Sequence, residues 1–380
     1  MELIARQVDL RPLLAKKSCF LFGPRQTGKT SLIASQFPDA LRIDLLDDEE
    51  YLTLQARPAR LRERLPEARG LVVIDEIQRV PALLNEVHRL LESRRDLRFL
   101  LTGSSARRLR GKGVNLLGGR ARSRRLHPFV RTELGKRFDL KRALLFGSLP
   151  SIYLSEDPRE DLKAYVGDYL REEIAAEALT RNIPAFGRFL ETAAVSSGQL
   201  LNYQNVANDA QVKRSTVQNY YEILRDTLVG SELEPFRKTR VRKAIATSKF
   251  YFFDLGIVNY LRGIRELAEK TPAFGDAFEA YLHHELSAWV DYQGDGELRY
   301  WRSASGLEVD FILNGAVAIE CKTTRSVSSA DLRGLKALGE EFPGMKKIVA
   351  CFESAPRTIE GIKILPWTEL LDRLWAGDLA

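Results

Sequence analysis

Apolar residues along this chain fall into short continuous runs that alternate with stretches of helical spacing. Short runs are typical of buried strands, and apolar residues three or four positions apart are typical of helices. In the first third we expect a helix at 29–37 and strands within five stretches: 19–22, 40–50, 70–80, 97–109 and 124–128. This alternation predicts an α/β fold, with a parallel sheet covered by helices on both faces.

Helical spacing continues through residues 129–190 and is clearest in 156–179. We expect these residues to form a helical lid. Its aromatic residues Tyr165 and Tyr169 then belong to a core rather than to a ligand site.

A helix-turn-helix pattern lies within residues 201–236. The first helix is expected at about 203–210, and Ser215 or Thr216 caps a second helix that runs through Leu224. A basic hairpin follows, as in winged-helix domains, which either contact DNA or dock on other proteins. The candidate DNA contacts are polar and basic residues of the second helix and the hairpin: Lys213, Arg214, Gln218, Arg240, Arg242 and Lys243.

The C-terminal segment mixes helices and strands. An amphipathic helix is expected at 274–292, strands within 297–313 and 315–324, a helix at 328–341 and another strand at 346–352. This order of helix, hairpin, helix and strand suits the core of a restriction-like nuclease.

The composition, with 44% hydrophobic and 29% charged residues, is that of ordinary soluble proteins. No apolar run reaches about 18 residues, and the first residues lack the apolar region of a signal peptide. We therefore expect a cytoplasmic protein without a membrane partner. The three cysteines, Cys19, Cys321 and Cys351, lie far apart in apolar runs, where reduced packing residues are expected.

The net charge of +7 is spread unevenly. Residues 106–137 hold eleven Lys or Arg and one Glu, and residues 236–250 hold six Lys or Arg and no acidic residue. Such patches suit a polyanion, because neutralising phosphates releases counterions. A solvated face or an intersubunit surface is the alternative interpretation.

The first strand and helix enclose the sequence GPRQTGKTS, which fits the phosphate-binding pattern G-x-x-x-x-G-K-[ST]. Its glycines let backbone N–H groups close around phosphate oxygens. Lys29 is predicted to reach the β- and γ-phosphates of ATP, and the Thr30 hydroxyl to bind Mg²⁺. The candidate nucleotide site is the whole loop: Gly23, Pro24, Arg25, Gln26, Thr27, Gly28, Lys29, Thr30 and Ser31.

Acidic and hydroxyl residues end two of the other strands. Asp75 is predicted to bind Mg²⁺ and Glu76 to orient and deprotonate the attacking water, which favours hydrolysis over mere nucleotide binding. Thr102 and Ser104 are candidates for sensing the γ-phosphate. A plain helix cap by Ser104 or Ser105 is the alternative.

ATPases that assemble often take an arginine from a neighbouring subunit to stabilise the charge on the γ-phosphate. Arg120, in LLGGRARS, is the candidate for this role. Structural ion pairing and DNA contact are its alternatives. This interpretation predicts a homo-oligomer, with a hexameric ring as one arrangement.

The C-terminal strands carry the residue types of a metal-dependent nuclease. Phosphodiester hydrolysis needs carboxylates around Mg²⁺ and a lysine near the activated water. Asp310, Glu320 and Lys322 fill these roles, and Glu279 on the preceding helix is a further candidate ligand. An inert, solvated hairpin is the alternative.

The turn between the two strands decides whether this site can form. A two-residue Asn-Gly loop puts Asp310 and Glu320 on opposite faces of the hairpin. A three-residue loop, Leu313–Gly315 with its glycine left-handed, pairs Ile312 with Ala316 and leaves the two carboxylates diagonal on one face. Both loops are chemically allowed, and we predict the second.

Several stretches together resemble one family, the prokaryotic AAA-type ATPases whose C-terminal half is a domain of unknown function. In chain order they are GPRQTGKTSL, VVIDEIQRVPALL, FLLTGSSARRL, LGGRA, LHPF, YFFDLGIVNYL, AFEAYLHHEL, YWRSASGLEVDFIL and AIECKTT. The resemblance spans nearly the whole chain and implies an AAA-like ATPase core, a winged-helix segment and a restriction-endonuclease-like end. Cys321 departs from the pattern, since an aliphatic residue is usual between the Glu and the Lys.

The sequence thus predicts four parts: a P-loop AAA-like ATPase core at 1–135, a helical lid at 136–190, a winged helix at 191–265 and a PD-(D/E)xK nuclease-like α/β domain at 272–380. The expected function is an ATP- and Mg²⁺-dependent protein that moves or remodels double-stranded or branched DNA, with a C-terminal domain that binds or nicks it. The alternative is a nucleotide-regulated switch in signalling, defence or toxin-antitoxin systems, with an inert C-terminal docking domain.

Overall fold

The computed structural model describes residues 3–65, 67, 70–104, 117–167, 170, 182–237 and 244–379. Some sequence-based predictions therefore lie outside the described residues: Ser105, Tyr169, Arg240, Arg242 and Lys243. The chain divides into two compact units, residues 1–129 with 223–229, and residues 130–222 with 230–380. The second unit thus takes in most of the predicted lid and winged helix together with the C-terminal segment.

Helices and strands alternate in the first part of the chain, and the helices α5 to α11 then follow one another before β6. The α-helices, α1 to α15, are Arg11–Leu14, Lys29–Gln36, Asp48–Ala56, Leu83–Ser93, Arg131–Leu134, Leu140–Phe146, Pro150–Tyr153, Pro158–Ala164, Ile183–Val195, Tyr203–Ala210, Arg214–Asp226, Leu255–Leu261, Pro272–Gln293, Arg333–Glu341 and Trp367–Ala376. The strands, β1 to β13, are Ser18–Phe22, Leu41–Asp44, Gly70–Asp75, Leu97–Gly103, Ala121–Arg125, Gly230–Leu233, Lys249–Phe252, Leu298–Arg302, Glu308–Leu313, Val317–Cys321, Lys346–Cys351, Arg357–Ile359 and Ile362–Pro366. Among these helices, none combines the length and apolar character needed to cross a membrane.

The first unit is built on a parallel sheet in the order β2-β3-β4-β1-β5. Its interior strand β1, between β4 and β5, is buried over its whole length, as expected for a strand covered on both faces. Strand β5 occupies 121–125 instead of the predicted 124–128. Its sequence ARSRR has no apolar run because β5 is an edge strand, where charged side chains face solvent.

The second unit contains a six-stranded sheet in the order β12-β13-β11-β10-β9-β8. Strands β8, β9 and β10 are antiparallel, whereas β10, β11 and β13 are parallel. Helix α13 packs against β8, β9 and β10. The predicted α/β class, with an N-terminal parallel sheet, a helical region and a C-terminal sheet, is confirmed.

A helix-turn-helix lies in the middle of the chain. Helices α10 and α11 are joined at Gln211, whose left-handed backbone (φ 55°) ends the first helix. Helix α11 begins at Arg214, before the predicted caps Ser215 and Thr216. Helix α9 completes the group, with Phe186 against Tyr220.

The two described ends of the connection between β6 and β7 lie against the edge of β8. Phe236 N–H donates a 2.7 Å hydrogen bond to Tyr300 O, and Ile245 N–H donates a 2.9 Å bond to Arg302 O. An uncovered strand edge offers unpaired N–H and C=O groups, so these two ends close part of the C-terminal sheet on that side. The predicted basic hairpin is therefore attached to the sheet at both of its described ends.

A buried carboxylate holds the predicted lid within the second unit. Asp254 Oδ2 accepts hydrogen bonds from Ser148 N (2.7 Å) and Leu149 N (3.1 Å), while its Oδ1 caps helix α12 at Gly256 N (2.9 Å). Gly147 (φ 76°) permits this approach, because a Cβ atom there would lie 1.9 Å from Asp254 Oδ1. Burial raises the pKa of Asp254 to about 6.

Candidate functional site

The predicted nucleotide loop connects β1 to α2. Gly23 lies so close to the neighbouring chain that a Cβ atom would be 2.7 Å from Leu126 O, and Gly28 has a left-handed backbone (φ 89°). Helix α2 begins at Lys29, directly after the loop. A glycine-containing loop that enters a helix N-terminus forms a site for phosphate oxygens.

The Lys29 side chain folds back under this loop. Its Nζ donates hydrogen bonds of 2.7 Å to Gly23 O and 3.1 Å to Pro24 O. Burial lowers the pKa of Lys29, while the charges of Glu76 and Asp75 oppose that shift. The ammonium group is therefore held beside the loop, within reach of any phosphate bound there.

A chain of hydrogen bonds joins the loop to the ends of β3 and β4. Thr30 Oγ1 lies 3.2 Å from Asp75 Oδ2, and Thr102 Oγ1 donates to Asp75 Oδ1. Glu76 N–H donates a 3.2 Å bond to Thr102 Oγ1. The sheet order explains this meeting, because β4 lies between β1 and β3. A hydroxyl and a carboxylate at this position are oxygen ligands of the kind that Mg²⁺ prefers.

Gln78, which the sequence patterns do not single out, orients Glu76. Gln78 Nε2 donates to Glu76 Oε2 and, at 3.0 Å, to Ser104 Oγ. Gly103 makes room for this amide, since a Cβ atom would lie 2.5 Å from Gln78 Oε1. Glu76 itself has a left-handed backbone (φ 57°). The sequence signal was the glutamine two positions after the Asp-Glu pair.

Arg120 lies away from the nucleotide loop of its own chain. It forms a 2.9 Å ion pair with Glu92 on α4. The next residue, Ala121, pairs with Ser18 at the start of β1, whereas the loop follows Phe22 at its end. Four strand positions separate the two ends by roughly 13 Å. Any contact of Arg120 with a γ-phosphate would thus be with that of a neighbouring subunit.

The predicted DNA contacts at the start of α11 are on the surface. Lys213, Arg214 and Gln218 are exposed, while Val217 and Tyr221 on the helix are buried. The helix therefore presents a polar face that is basic at its N-terminal end and carries the exposed Glu222 one turn after Gln218.

The hairpin of β9 and β10 corrects the predicted register. Leu313 pairs with Val317, so Ile312 is opposite Ala318 rather than Ala316. The loop does hold three residues, but they are Asn314–Ala316. Both Asn314 and its glycine neighbour are left-handed, and the N–H of Ala316 closes the turn onto Leu313 O at 3.0 Å. The third loop residue is therefore Ala316, which follows the Asn314-Gly315 turn, whereas the predicted loop had Leu313 before that turn.

Asp310 and Glu320 follow the last pair of this ladder, Phe311 with Ile319, and β9 has a bulge at Asp310, where two of its residues oppose one residue of β8. Asp310 and Glu320 are each only 8% exposed. Cys321 N–H donates a 2.7 Å bond to Asp310 Oδ2, and Lys322 Nζ donates a 2.6 Å bond to Glu320 Oε1. Burial, reinforced by the charge of Glu320, raises the pKa of Asp310, and burial raises that of Glu320 to about 7.

Glu279 is engaged by two residues of β7. Its Oε1 accepts a 3.0 Å bond from Lys249 Nζ and a 2.7 Å bond from the Tyr251 hydroxyl. Lys249 Nζ also forms a 2.7 Å ion pair with Glu308. A metal ion at Glu279 would therefore have to compete with Lys249 for this carboxylate. Lys249 was counted in a surface patch, yet it is 4% exposed and points at carboxylates.

Asp310 and Glu320 are better placed than Glu279 to bind a divalent cation, because Glu279 is already paired with Lys249. Glu320 Oε2 is buried and has no hydrogen-bond partner, which leaves a carboxylate oxygen free to bind an ion. In the part of the chain that the structure describes, no three His, Cys, Asp or Glu side chains surround a common point. A site here therefore rests on two carboxylates.

Three family models match successive segments of the chain. Residues 15–135 match the family model of an AAA domain. Residues 137–268 and 274–370 match two domains of unknown function, DUF8612 and DUF4143.

Uncharacterized proteins of Mycobacterium tuberculosis (Rv2008c) and Mycobacterium bovis (Mb2031c) are each 29% identical over 297 residues, 76% of this chain. The match spans 66% of the length of these relatives.

Solved structures resemble the chain at low TM-scores. They include a signal transduction ATPase with numerous domains from Pyrococcus horikoshii (TM-score 0.23, 14% identity, 73% of this chain and 48% of that one) and the Bacillus subtilis DNA clamp loader delta protein (0.25, 14%, 57% and 87%). The AAA match and the geometry of the loop both indicate a nucleotide-binding domain within residues 15–135.

Proposed function

We propose that this protein couples ATP hydrolysis in its N-terminal unit to an action on DNA, and that its C-terminal sheet carries a Mg²⁺-dependent phosphodiester-cleaving centre. Branched or double-stranded DNA is the expected substrate. The observation that carries the proposal is the neighbouring pair Asp310 and Glu320, with the buried, unpartnered Glu320 Oε2 and Lys322 beside it.

The nucleotide site would supply the phosphate-binding groups, the Mg²⁺ ligands and the base, and Arg120 of a neighbouring subunit would supply the positive charge beside the γ-phosphate. The loop and Lys29 bind the phosphates, and Thr30 and Asp75 would hold Mg²⁺. Glu76, fixed by Gln78, is the base that takes the proton from the attacking water. Thr102 connects this base to Asp75 through its hydroxyl.

In the C-terminal centre, Asp310 and Glu320 would hold the divalent ion. When bound, such an ion polarises the phosphoryl group and lowers the pKa of its water. Lys322 orients Glu320 and remains an ammonium group, because Glu320 and Asp310 raise its pKa against the effect of burial. Its positive charge is placed to offset the charge that develops on a phosphate.

The exposed polar face at the N-terminal end of α11 is the proposed DNA contact. Arg214 and Gln218 lie on it, and the second helix of a helix-turn-helix commonly reads the major groove. Substituting Arg214 and Gln218 with Ala should weaken DNA affinity and reduce its dependence on salt. The exposed Arg265 offers a control, since its replacement by Ala changes charge away from that helix.

Cleavage is tested with supercoiled plasmid and with a four-way DNA junction, in Mg²⁺ or Mn²⁺, with and without ATP. Wild-type protein is expected to nick at least one substrate, whereas Asp310→Asn and Lys322→Ala are not. Asp372→Asn is the matched control, because Asp372 is an exposed carboxylate paired with Arg131 outside the centre. Equal activity of wild type and Asp310→Asn would contradict the cleavage proposal.

One observation favours a second candidate, a nucleotide-regulated switch with an inert C-terminal docking domain. Lys249 already pairs with Glu279 and Glu308, which neutralises carboxylates that a nuclease could use. A stable protein partner, with no effect of Lys29→Ala on any DNA activity, would support the switch.

A further inference from the structure

A buried lysine from the middle of the chain enters the carboxylate centre. Lys249 lies on β7, whereas Glu279 lies on α13 and Glu308 on β9. The Lys249 ammonium contacts Glu279 Oε1 at 3.0 Å and Glu308 Oε1 at 2.7 Å. It also lies 5.5 Å from the centre of the Tyr300 ring. Three elements and an aromatic face thus fix this one charge.

Lys249 is 4% exposed, and its ammonium group lies between the carboxylates of Glu279 and Glu308. A buried ammonium group is tolerated only when anionic partners surround it. The geometry therefore places a permanent unit charge among the carboxylates, next to the pair on β9 and β10.

The remaining donors show that Glu279 and Glu308 are held in place rather than merely neutralised. Tyr251 donates to the same oxygen of Glu279 as Lys249 does, at 2.7 Å. Arg302 pairs with the second oxygen of Glu308 at 3.1 Å. Glu308 and Asp310 lie two positions apart on β9, so they share a face. A position for a second cation would lie where the lysine now is.

We infer that Lys249 takes the place of a second metal ion, so that the C-terminal centre binds a single divalent cation between Asp310 and Glu320. This inference rests on the metal centre of the proposed function and adds its stoichiometry. Lys249 is a positioning residue. Its ion pairs with Glu279 and Glu308 prevent these two carboxylates from binding the metal ion. Two-metal phosphodiester chemistry is then replaced by one ion and a fixed lysine charge.

The test is the number of Mn²⁺ ions bound per chain, measured by equilibrium titration of nucleotide-free protein in an Asp75→Asn background, which removes the carboxylate of the nucleotide site. We expect one ion in this protein, one in Lys249→Arg, two in Lys249→Met and none in Glu320→Gln. Met keeps the length of the side chain over Tyr300 without its charge.

The outcomes separate the two proposals. If no Mn²⁺ binds with Lys249 present, the metal centre of the proposed function is wrong, and the inference with it. If two ions bind with Lys249 present, or if Lys249→Met still binds one, the inference alone is overturned. Should Lys249→Met be unfolded without metal, the inference expects Mn²⁺ to restore its melting transition, and no restoration would contradict it.

Discussion

Asp310 of β9 is held beside Glu320 of β10, because the N–H of Cys321, the residue after Glu320, donates a 2.7 Å hydrogen bond to Asp310 Oδ2. The charge of Glu320 raises the pKa of Asp310, so the two buried carboxylates repel each other unless a proton or a cation is shared between them. Lys322 reaches only Glu320 Oε1, which leaves Oε2 unpartnered. This pair of carboxylates therefore lowers the stability of the protein without an ion, and a bound cation would remove the repulsion.

Glu76→Gln is predicted to separate ATP binding from hydrolysis. The amide preserves the size of the side chain beside Gln78 but cannot accept a proton, so hydrolysis should fall by about 10²-fold or more while nucleotide affinity stays close to normal. Lys29→Ala should lower both, because the Lys29 ammonium group lies against the loop expected to bind the phosphates. Phosphate release and binding of a fluorescent ATP analogue measure the two effects. Unchanged hydrolysis by Glu76→Gln would remove this residue from the mechanism.

Thr102→Val is predicted to impair ATP hydrolysis without leaving a cavity at position 102. Valine has the same shape but loses the hydroxyl between Asp75 and Glu76 N. Loss of about 1.4 kcal/mol of transition-state stabilisation corresponds to about tenfold in rate. Thr102→Ser keeps the hydroxyl and should retain most activity. Equal loss in both variants would indicate a packing role instead.

Gly334→Ala is predicted to destabilise the C-terminal sheet, although alanine normally favours a helix by about 1 kcal/mol over glycine. A Cβ atom at Gly334 would lie 1.8 Å from Glu308 O, a backbone atom of β9. Gly339, in the same helix α14, would meet only the end of the flexible Lys347 side chain at 2.8 Å. Thermal melting should show a lower Tm for Gly334→Ala than for Gly339→Ala. The reverse order would contradict the packing of α14 on β9.

Glu285 is predicted to make stability fall as the pH rises. It is fully buried and accepts from Arg131 N, Tyr281 Oη and Trp375 Nε1. Burial raises its pKa from 4.5 to about 7, so the folded state holds the proton more tightly than the unfolded state. Its stabilising effect is thus complete below about pH 4.5 and is lost as the pH passes 7.

The matched variant for this effect is Glu285→Gln. Between pH 5 and 8, wild-type protein should lose about 3 kcal/mol of unfolding free energy relative to that variant. Asp254 acts with the same sign, so the variant reduces the pH dependence without abolishing it. Denaturant unfolding at several pH values measures the difference. A difference that is constant with pH would show that Glu285 has no raised pKa.

Apolar patterning predicted the buried strands well, and the exposed ones poorly. Strand β1 is apolar because helices cover both faces of its sheet, whereas β5 and β12 are edge strands with few apolar residues to detect. Strand β13 and helix α15, which extend and cover the C-terminal sheet, were also not predicted.

The two candidate sites differ in how far the sequence could define them. The nucleotide loop is contiguous, so its spacing alone selected Lys29 and Thr30. The ion pair of Lys249 and Glu308 could not be predicted from the sequence, because these residues come together only when β7 lies next to the C-terminal sheet. Local charge cannot tell which lysine of a basic segment points inward.

DNA-dependent stimulation of ATP hydrolysis tests the central claim most directly. The rate is measured with no DNA, single strands, duplex and a four-way junction, for wild type and for Arg214→Ala with Gln218→Ala. We predict that duplex or junction DNA raises the rate of the wild type and that the double variant keeps its basal rate but loses the stimulation. A wild-type rate that no DNA changes, in protein that hydrolyses ATP, would contradict a DNA-acting ATPase.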